Sequence, residues 1–360
     1  MRLFLLNYLL LLSICVVRAQ ERSDFYFTHV NGENGLSASN VKAILQDSYG
    51  FMWFGTKNGL NRYDGTSILQ FDCDDLEEGT GNHNIGALFE DKERNLWVGT
   101  DRGVYIYNPA VDVFKRFKIA SSEGITLDNW VAEILSDSLD NIWVLIPDQG
   151  LFRYKDGKVH HYSLLDKDNL KNNNPECICI NEQGEVWIGT SGVSLFKYNY
   201  RDDKFEQYLA DRMGRSLIGK TIISICFQKE NAILGIHEGD LLKYNTRTDE
   251  LSEVSFLGEK KTFLRDVMCF GDEIWVGSLH GIFIINEKEN NVIHLKEDLM
   301  RSFSLSDNSI YSIYKDHEGG IWIGTMFGGV NYLPNRILTF DKYVPGSDSH
   351  SLNTKRIRGL

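Results

Sequence analysis

Apolar residues fall in short runs of about four to six, separated by turns rich in Gly, Asp and Asn. Within a run, apolar and polar positions often alternate, and β-branched and aromatic side chains dominate. This pattern predicts strands, not helices. The runs come in groups of four. The first run of each group covers residues 41–45, 85–89, 131–135, 175–180, 221–227, 265–270 and 310–314. The second carries a repeated motif, WFGT at Trp53, WVGT at Trp97, WVLI at Trp143, WIGT at Trp187, ILGI at Ile233, WVGS at Trp275 and WIGT at Trp322. The third follows a Gly turn, as at residues 60–63 and 104–107, and the fourth is typified by residues 68–71 and 113–117. The motif spacings are 44, 46, 44, 46, 42 and 47 residues. A period of this length built from four short strands predicts an all-β fold, a seven-bladed β-propeller with one four-stranded blade per repeat.

The fullest copy, residues 47–65 (DSYGFMWFGTKNGLNRYDG), has the form D-x-x-G-x-x-W-x-G-T-x-x-G-L-x-x-Y. Asp47 and Gly50 are expected to close the turn between the first two strands, because Asp bonds nearby backbone N–H groups and Gly takes positive φ without steric cost. Asp91, Asp137 and Asp316 repeat the Asp, Asn181 substitutes for it, and Arg94 and Asp140 replace the Gly. Trp53 and its equivalents are expected between neighbouring blades, where a large flat side chain fills the gap between twisted sheets. A feature present in nearly every blade builds the scaffold and cannot mark one active site.

Residues 25–30 (FYFTHV) read as a fourth strand, like residues 338–343 (LTFDKY). The repeat order therefore starts on an outer strand. The ring is expected to close by pairing residues 25–30 with residues 330–332, since closure removes an exposed edge. The propeller is assigned to residues 20–334. Residues 352–360 align with residues 36–44, so residues 335–360 read as the start of an eighth, truncated repeat or as an alternative closing strand.

Arg2, an apolar run over residues 3–17 and the small residue Ala19 have the order of an export leader, expected to be cut after residue 19. The run is short for a membrane span of about 20 residues, and no later stretch approaches one. The mature chain is expected to be exported. The formal charge is -12, and losing Arg2 and Arg18 makes the mature chain more acidic still, which argues against nucleic acid or anionic lipid as partner. Five cysteines remain after the leader, an odd number at spacings unlike a disulfide framework. They are expected to be small buried apolar residues. No zinc ligand set and no cofactor motif is present.

The pattern S-x-x-N-V…I-x-x-D-x-x-G-x-x-W-x-G-T-x-x-G-L-x-x-Y-D, seen most fully over residues 37–64, resembles the two-component regulator propeller repeat. The resemblance runs over residues 25–360. It implies the periplasmic sensor of a hybrid two-component system of Bacteroides-type bacteria, in which two such propellers precede an immunoglobulin-like domain, a membrane helix, a histidine kinase, a receiver and a DNA-binding module. It also implies an oligosaccharide ligand and control of polysaccharide-degradation genes. This chain shows one propeller and no kinase motifs, so a non-catalytic sensing module is expected, acting alone, as a homodimer or with a partner sensor chain.

Ligand recognition is expected on the face that carries the long, dissimilar connections from outer to first strands (residues 74–83, 120–129, 166–174, 210–220, 257–264 and 297–309). The residues leading into the first strands are Asn40, Asn84, Trp130, Asn174, Lys220 and Ser309, with Arg265 near the sixth. Asn, Lys and Ser offer partners to sugar hydroxyls, and Trp130 offers a flat face for a pyranose. The competing reading has Trp130 packed on its own loop and the Asn residues capping turns. Two other functions are weighed. One is a protein–protein or dimerisation platform without a small ligand. The other is a glycoside hydrolase or lyase, because the turn motif resembles the Asp-box of sialidase-type propellers, although the Arg residues near the mouth are few and scattered.

Overall fold

The computed structural model describes residues 25–71, 84–118, 124–163, 174–192, 194–209, 220–256 and 262–335. The leader and nearly all of the eighth repeat lie outside these residues, as do most of the long connections, of which only residues 297–309 are described throughout.

Seven four-stranded antiparallel sheets form, as the period predicts. Blade one consists of Val41–Gln46, Met52–Thr56, Gly59–Tyr63 and Ile68–Phe71, in that order from first to outer strand. Blade seven takes Ile310–Lys315, Ile321–Thr325 and Val330–Leu333 from the far end of the repeat array and Thr28–Val30 from its start. Thr28 pairs with Tyr332, His29 with Asn331 and Val30 with Val330, which is the predicted closure. Phe27 secures it by burying its ring in the layer that contains Trp275 and Leu305.

Most of the core lies between blades. Trp53 of blade one packs with Ile85, Leu96, Val98 and Tyr107 of blade two, and Trp322 of blade seven packs with Val41, Ile44 and Phe54 of blade one. The Gly two residues after the Trp has a packing job there. A Cβ on Gly55 would lie 2.6 Å from Ile85 Cγ2 of the next blade, so the two blades could not close on any side chain at that position.

The conserved turn is more connected than the sequence suggests. Asp47 Oδ1 accepts the N–H groups of Tyr49 and Phe51, while Oδ2 accepts the Trp53 indole N–H at 2.7 Å. The same indole bond joins Trp97 to Asp91, Trp143 to Asp137 and Trp322 to Asp316. The six-residue spacing of Asp and Trp is thus set by one carboxylate serving a turn and a buried indole. Asn181 keeps the turn bonds to Gln183 and Glu185. Arg94 and Asp140 adopt the positive φ that Gly50 takes in blade one.

The cysteine expectation needs correction. Cys226 and Cys269 form a disulfide between the first strands of blades five and six, Ile222–Gln228 and Leu264–Phe270. The bridging residues are 43 apart in sequence, one repeat, so the packing of one blade on the next brings them together. Cys177 and Cys179 are free; Cys177 matches the buried apolar reading, and Cys179 is half-buried against the same core.

Candidate ligand site at the channel mouth

In six blades the first strand carries a β-bulge near its start, where one extra residue pushes the ladder out of simple alternation. In blade one Val41 pairs with Thr56 and Ala43 with Gly55, leaving Lys42 as the extra residue. The same reading gives Gly86, Glu176, Ile223, Arg265 and Tyr311 in blades two, four, five, six and seven. In blade three the corresponding residue is Ala132, whose N–H bonds to Leu145 O. All seven are half-buried, and each follows a fully buried residue of the first strand or its lead-in.

This register repositions two of the seven residues singled out from sequence. The residue immediately before the buried one is Asn40, Asn84, Trp130, Asn174, Thr221, Phe263 or Ser309. Asn40, Asn84, Trp130, Asn174 and Ser309 therefore occupy one ring, as expected. Lys220 lies one residue before it and forms an ion pair with Asp240 in its own blade. Arg265 lies two residues beyond the ring and belongs to the bulge layer. The backbone fixes this ring: the carbonyls of Asn40, Asn84, Asn174, Thr221, Phe263 and Ser309 accept N–H groups from the turn after the second strand. In blade three that turn has Pro147, which has no N–H to give. There the first strand is assigned only over Glu133–Ser136, later than the predicted start at residue 131.

Trp130 uses that departure. The end of its six-membered ring lies over Gly86 of blade two, where a Cβ would come within 2.6 Å of Cζ2 and Cη2. The Lys42 ammonium of blade one sits 4.4 Å from the Trp130 ring centroid and 5.9 Å from that of Tyr311. The Arg265 guanidinium lies 5.6 Å from the Tyr311 centroid. Trp130 therefore reaches across blade two, and groups from blades one, three, six and seven meet on one side of the channel. Burial first, and then the nearby charges of Arg265 and Lys57, hold the Lys42 ammonium below its usual value.

Three polar atoms at this mouth are buried without a hydrogen-bond partner: Asn40 Oδ1, Asn84 Oδ1 and Arg265 Nε. A buried polar atom left unmatched costs about 1–3 kcal/mol, so such atoms need an explanation. They do not cap turns through these oxygens, which removes that reading for Asn40 and Asn84.

Below the mouth are two buried carboxyls that sequence reading missed. Glu133 accepts the Ile178 N–H of blade four at 2.9 Å, and Asp266 accepts the Ile313 N–H of blade seven at 2.8 Å. Burial, above all, pushes Glu133 up to about 8 and Asp266 up to about 6. Each joins its blade to the next and is held by backbone, so these carboxyls read as structural ties. Lys42 and Tyr311 were also missed. The available signal was a variable position inside otherwise apolar first strands, reading Lys, Gly, Ala, Glu, Ile, Arg and Tyr. The bulge hid it by shifting the alternation.

Residues 35–58, 79–102 and 304–327 match the family described as Two component regulator propeller. A curated relative, histidine kinase P4 of Formosa agariphila, is 26% identical over 158 residues, which is 42% of this chain and 12% of the kinase. Among solved structures, the extracellular domain of a candidate hybrid two component system of B. thetaiotaomicron is 24% identical with a TM-score of 0.71, covering 87% of this chain and 42% of that one. The extracellular domain of a candidate one component system of the same organism is 23% identical with a TM-score of 0.73, covering 89% of this chain and 41% of that one. PorZ, a surface component of the type-IX secretion system of Porphyromonas gingivalis, shares the fold at 17% identity and a TM-score of 0.62, over 83% of this chain and 47% of PorZ. The chain thus spans less than half the length of each of these relatives. Among the described residues no helix is long and apolar enough to cross a membrane.

Proposed function

The chain carries two-component regulator propeller repeats, and from that premise we propose that it is the ligand-sensing propeller of a two-component signalling system, exported to the periplasm. Its ligand is an oligosaccharide, bound where the first strands enter the channel. Its output is transcription of polysaccharide-utilisation genes, through kinase and DNA-binding elements of the signalling system. The chain's own part is non-catalytic recognition.

The observation that carries this reading is the Trp130 platform beside unmatched polar atoms. Trp130 is half-buried, held across blade two by the space Gly86 leaves, and occupies the same ring position as Asn40 and Asn84, whose Oδ1 atoms have no protein partner. A sugar presents an apolar ring face for an aromatic and hydroxyl donors for such acceptors. The relatives' extracellular placement supports the location, and the histidine kinase relative supports the signalling role.

Calorimetric titration of the whole exported chain against a panel of neutral and acidic oligosaccharides tests the reading. Saturable binding without product formation is expected. Trp130→Ala should weaken it at least tenfold, about 1.4 kcal/mol, with little change in melting temperature because the ring is not part of an inter-blade core. Product formation would make the chain an enzyme. No binding, together with self-association in sedimentation, would favour a dimerisation platform.

A further inference from the structure

The two cations at the mouth have no ion-pair partner; Asp101 of blade two pulls on Lys42, but less than burial, Arg265 and Lys57 push against it. Among the described residues, neither Lys42 nor Arg265 makes an ion pair, although 24% of the chain is charged and acidic residues outnumber basic ones. They approach the same Tyr311 ring, from blades one and six. Asp266, next in sequence to Arg265, forms no ion pair with it; its oxygens accept the Ile313 N–H and the Ser224 hydroxyl instead. The acidic member of the bulge layer, Glu176, belongs to blade four, three blades from blade one and two from blade six. The side of the channel formed by blades six, seven and one is therefore positive and aromatic.

Bringing two like charges together in a half-buried site is unfavourable unless something compensates. A cation–π contact supplies part of that compensation, about 0.5–2 kcal/mol each, and still leaves N–H donors unmatched, Arg265 Nε among them. A bound anionic group would satisfy both charges and that donor. Arg suits this role because its planar fork matches carboxylate and sulfate oxygens in two-point geometry. Trp130 and the two Asn oxygens lie at the same mouth and suit the rest of a sugar, not a bare ion.

Resting on the sensor reading above, we propose that the ligand is an acidic saccharide, its carboxylate or sulfate held between Lys42 and Arg265 and its sugar ring on Trp130. Neutral glycans would leave both cations unmatched and are discriminated against for that reason.

The test uses the whole exported chain and calorimetry with galacturonate, glucuronate and glucosamine 6-sulfate, the uncharged galactose, glucose and N-acetylglucosamine, and inorganic sulfate alone. The charged sugars should bind at least tenfold more tightly than their uncharged counterparts and more tightly than sulfate. The preference should weaken as salt rises. Lys42→Met combined with Arg265→Met should bring the ratio close to one while leaving melting unchanged or raised, because two mutually repelling charges are removed. The wild-type comparison stands by itself should the double variant misfold. Equal binding of charged and uncharged sugars would overturn the acidic assignment and leave the sensor reading intact. Sulfate binding as tightly as the charged sugars would reduce the site to an adventitious anion site and overturn the saccharide. Failure of every sugar would overturn both this proposal and the reading it rests on.

Discussion

Replacing Asp137 with Asn tests whether the aspartate of each repeat is a folding residue and not a catalytic one. Asp137 is 5% exposed and Trp143 0% exposed, so neither can turn to water. Oδ1 accepts the N–H groups of Leu139 and Asn141, and an amide oxygen would keep both. Oδ2 accepts Asn141 Nδ2 at 2.7 Å, Trp143 Nε1 at 2.9 Å and the Tyr200 hydroxyl at 2.8 Å. An NH2 in that place faces the Trp143 indole N–H, which cannot reverse, whereas the Asn141 amide can flip and the hydroxyl can turn. The indole's hydrogen bond to a charged acceptor is lost outright, so Asp137→Asn should cost about 1.5–3 kcal/mol. Against a typical stability of about 5–15 kcal/mol this is large. Urea unfolding followed by tryptophan fluorescence should show a lower midpoint with an unchanged slope. Burial pushes Asp137 upward, but the bonds from Trp143, Asn141 and Tyr200 outweigh it and hold the carboxyl below its usual value. The native carboxylate's contribution is therefore complete above the unfolded value of about 3.9 and is lost as pH falls below it, so wild type and variant should converge in acid. A loss under about 1 kcal/mol at pH 7, or no convergence, would refute the reasoning.

Four further outcomes follow from the same contacts. Reducing the Cys226–Cys269 bridge should lower stability by about 2–5 kcal/mol, read as a fall in melting temperature with added dithiothreitol; an unchanged melt would mean the bridge does not form. Gly86→Ala places a Cβ 2.3 Å from Val131 O and 2.6 Å from Trp130, so it should cost about 1–3 kcal/mol and shift tryptophan emission, measured together in one unfolding series. Glu133 is pushed up to about 8 by burial, so its stabilising, proton-bound form is complete below the unfolded value and lost as pH rises toward 8; Glu133→Gln, which can still accept the Ile178 N–H, should be more stable than wild type at pH 8, by on the order of 1–3 kcal/mol. Amides of Thr28–Val30 should show hydrogen-exchange protection like that of Val330–Leu333, and free exchange would break the closure argument.

Blade number, strand order and the closing strand were legible in the chain because they are local and repeated. Four short apolar runs and a Trp motif recur every 42 to 47 residues, and residues 25–30 are an outer strand without a blade of their own. Period and strand count are enough to imply a ring, since each blade has an apolar face that only a neighbour can bury. The candidate site was half legible. Trp130 stood out as an aromatic among polar equivalents, and Asn40 and Asn84 aligned by simple counting. Lys42, Tyr311 and the true place of Arg265 did not, because a bulged residue in six of the seven first strands moves a side chain from its expected position to the channel side. Alternation alone cannot register such a shift.

The Cys226–Cys269 bridge had no sequence signal, and nothing in the chain showed that groups of blades one, three, six and seven meet at one mouth. The bridge joins consecutive blades one repeat apart, whereas the mouth joins residues that closing the circle brings close. The D-x-x-G-x-x-W motif shows the same division. Its residues determined that the chain is a propeller, while the partners of each Asp and the compensation of each charge were decided only when the blades met.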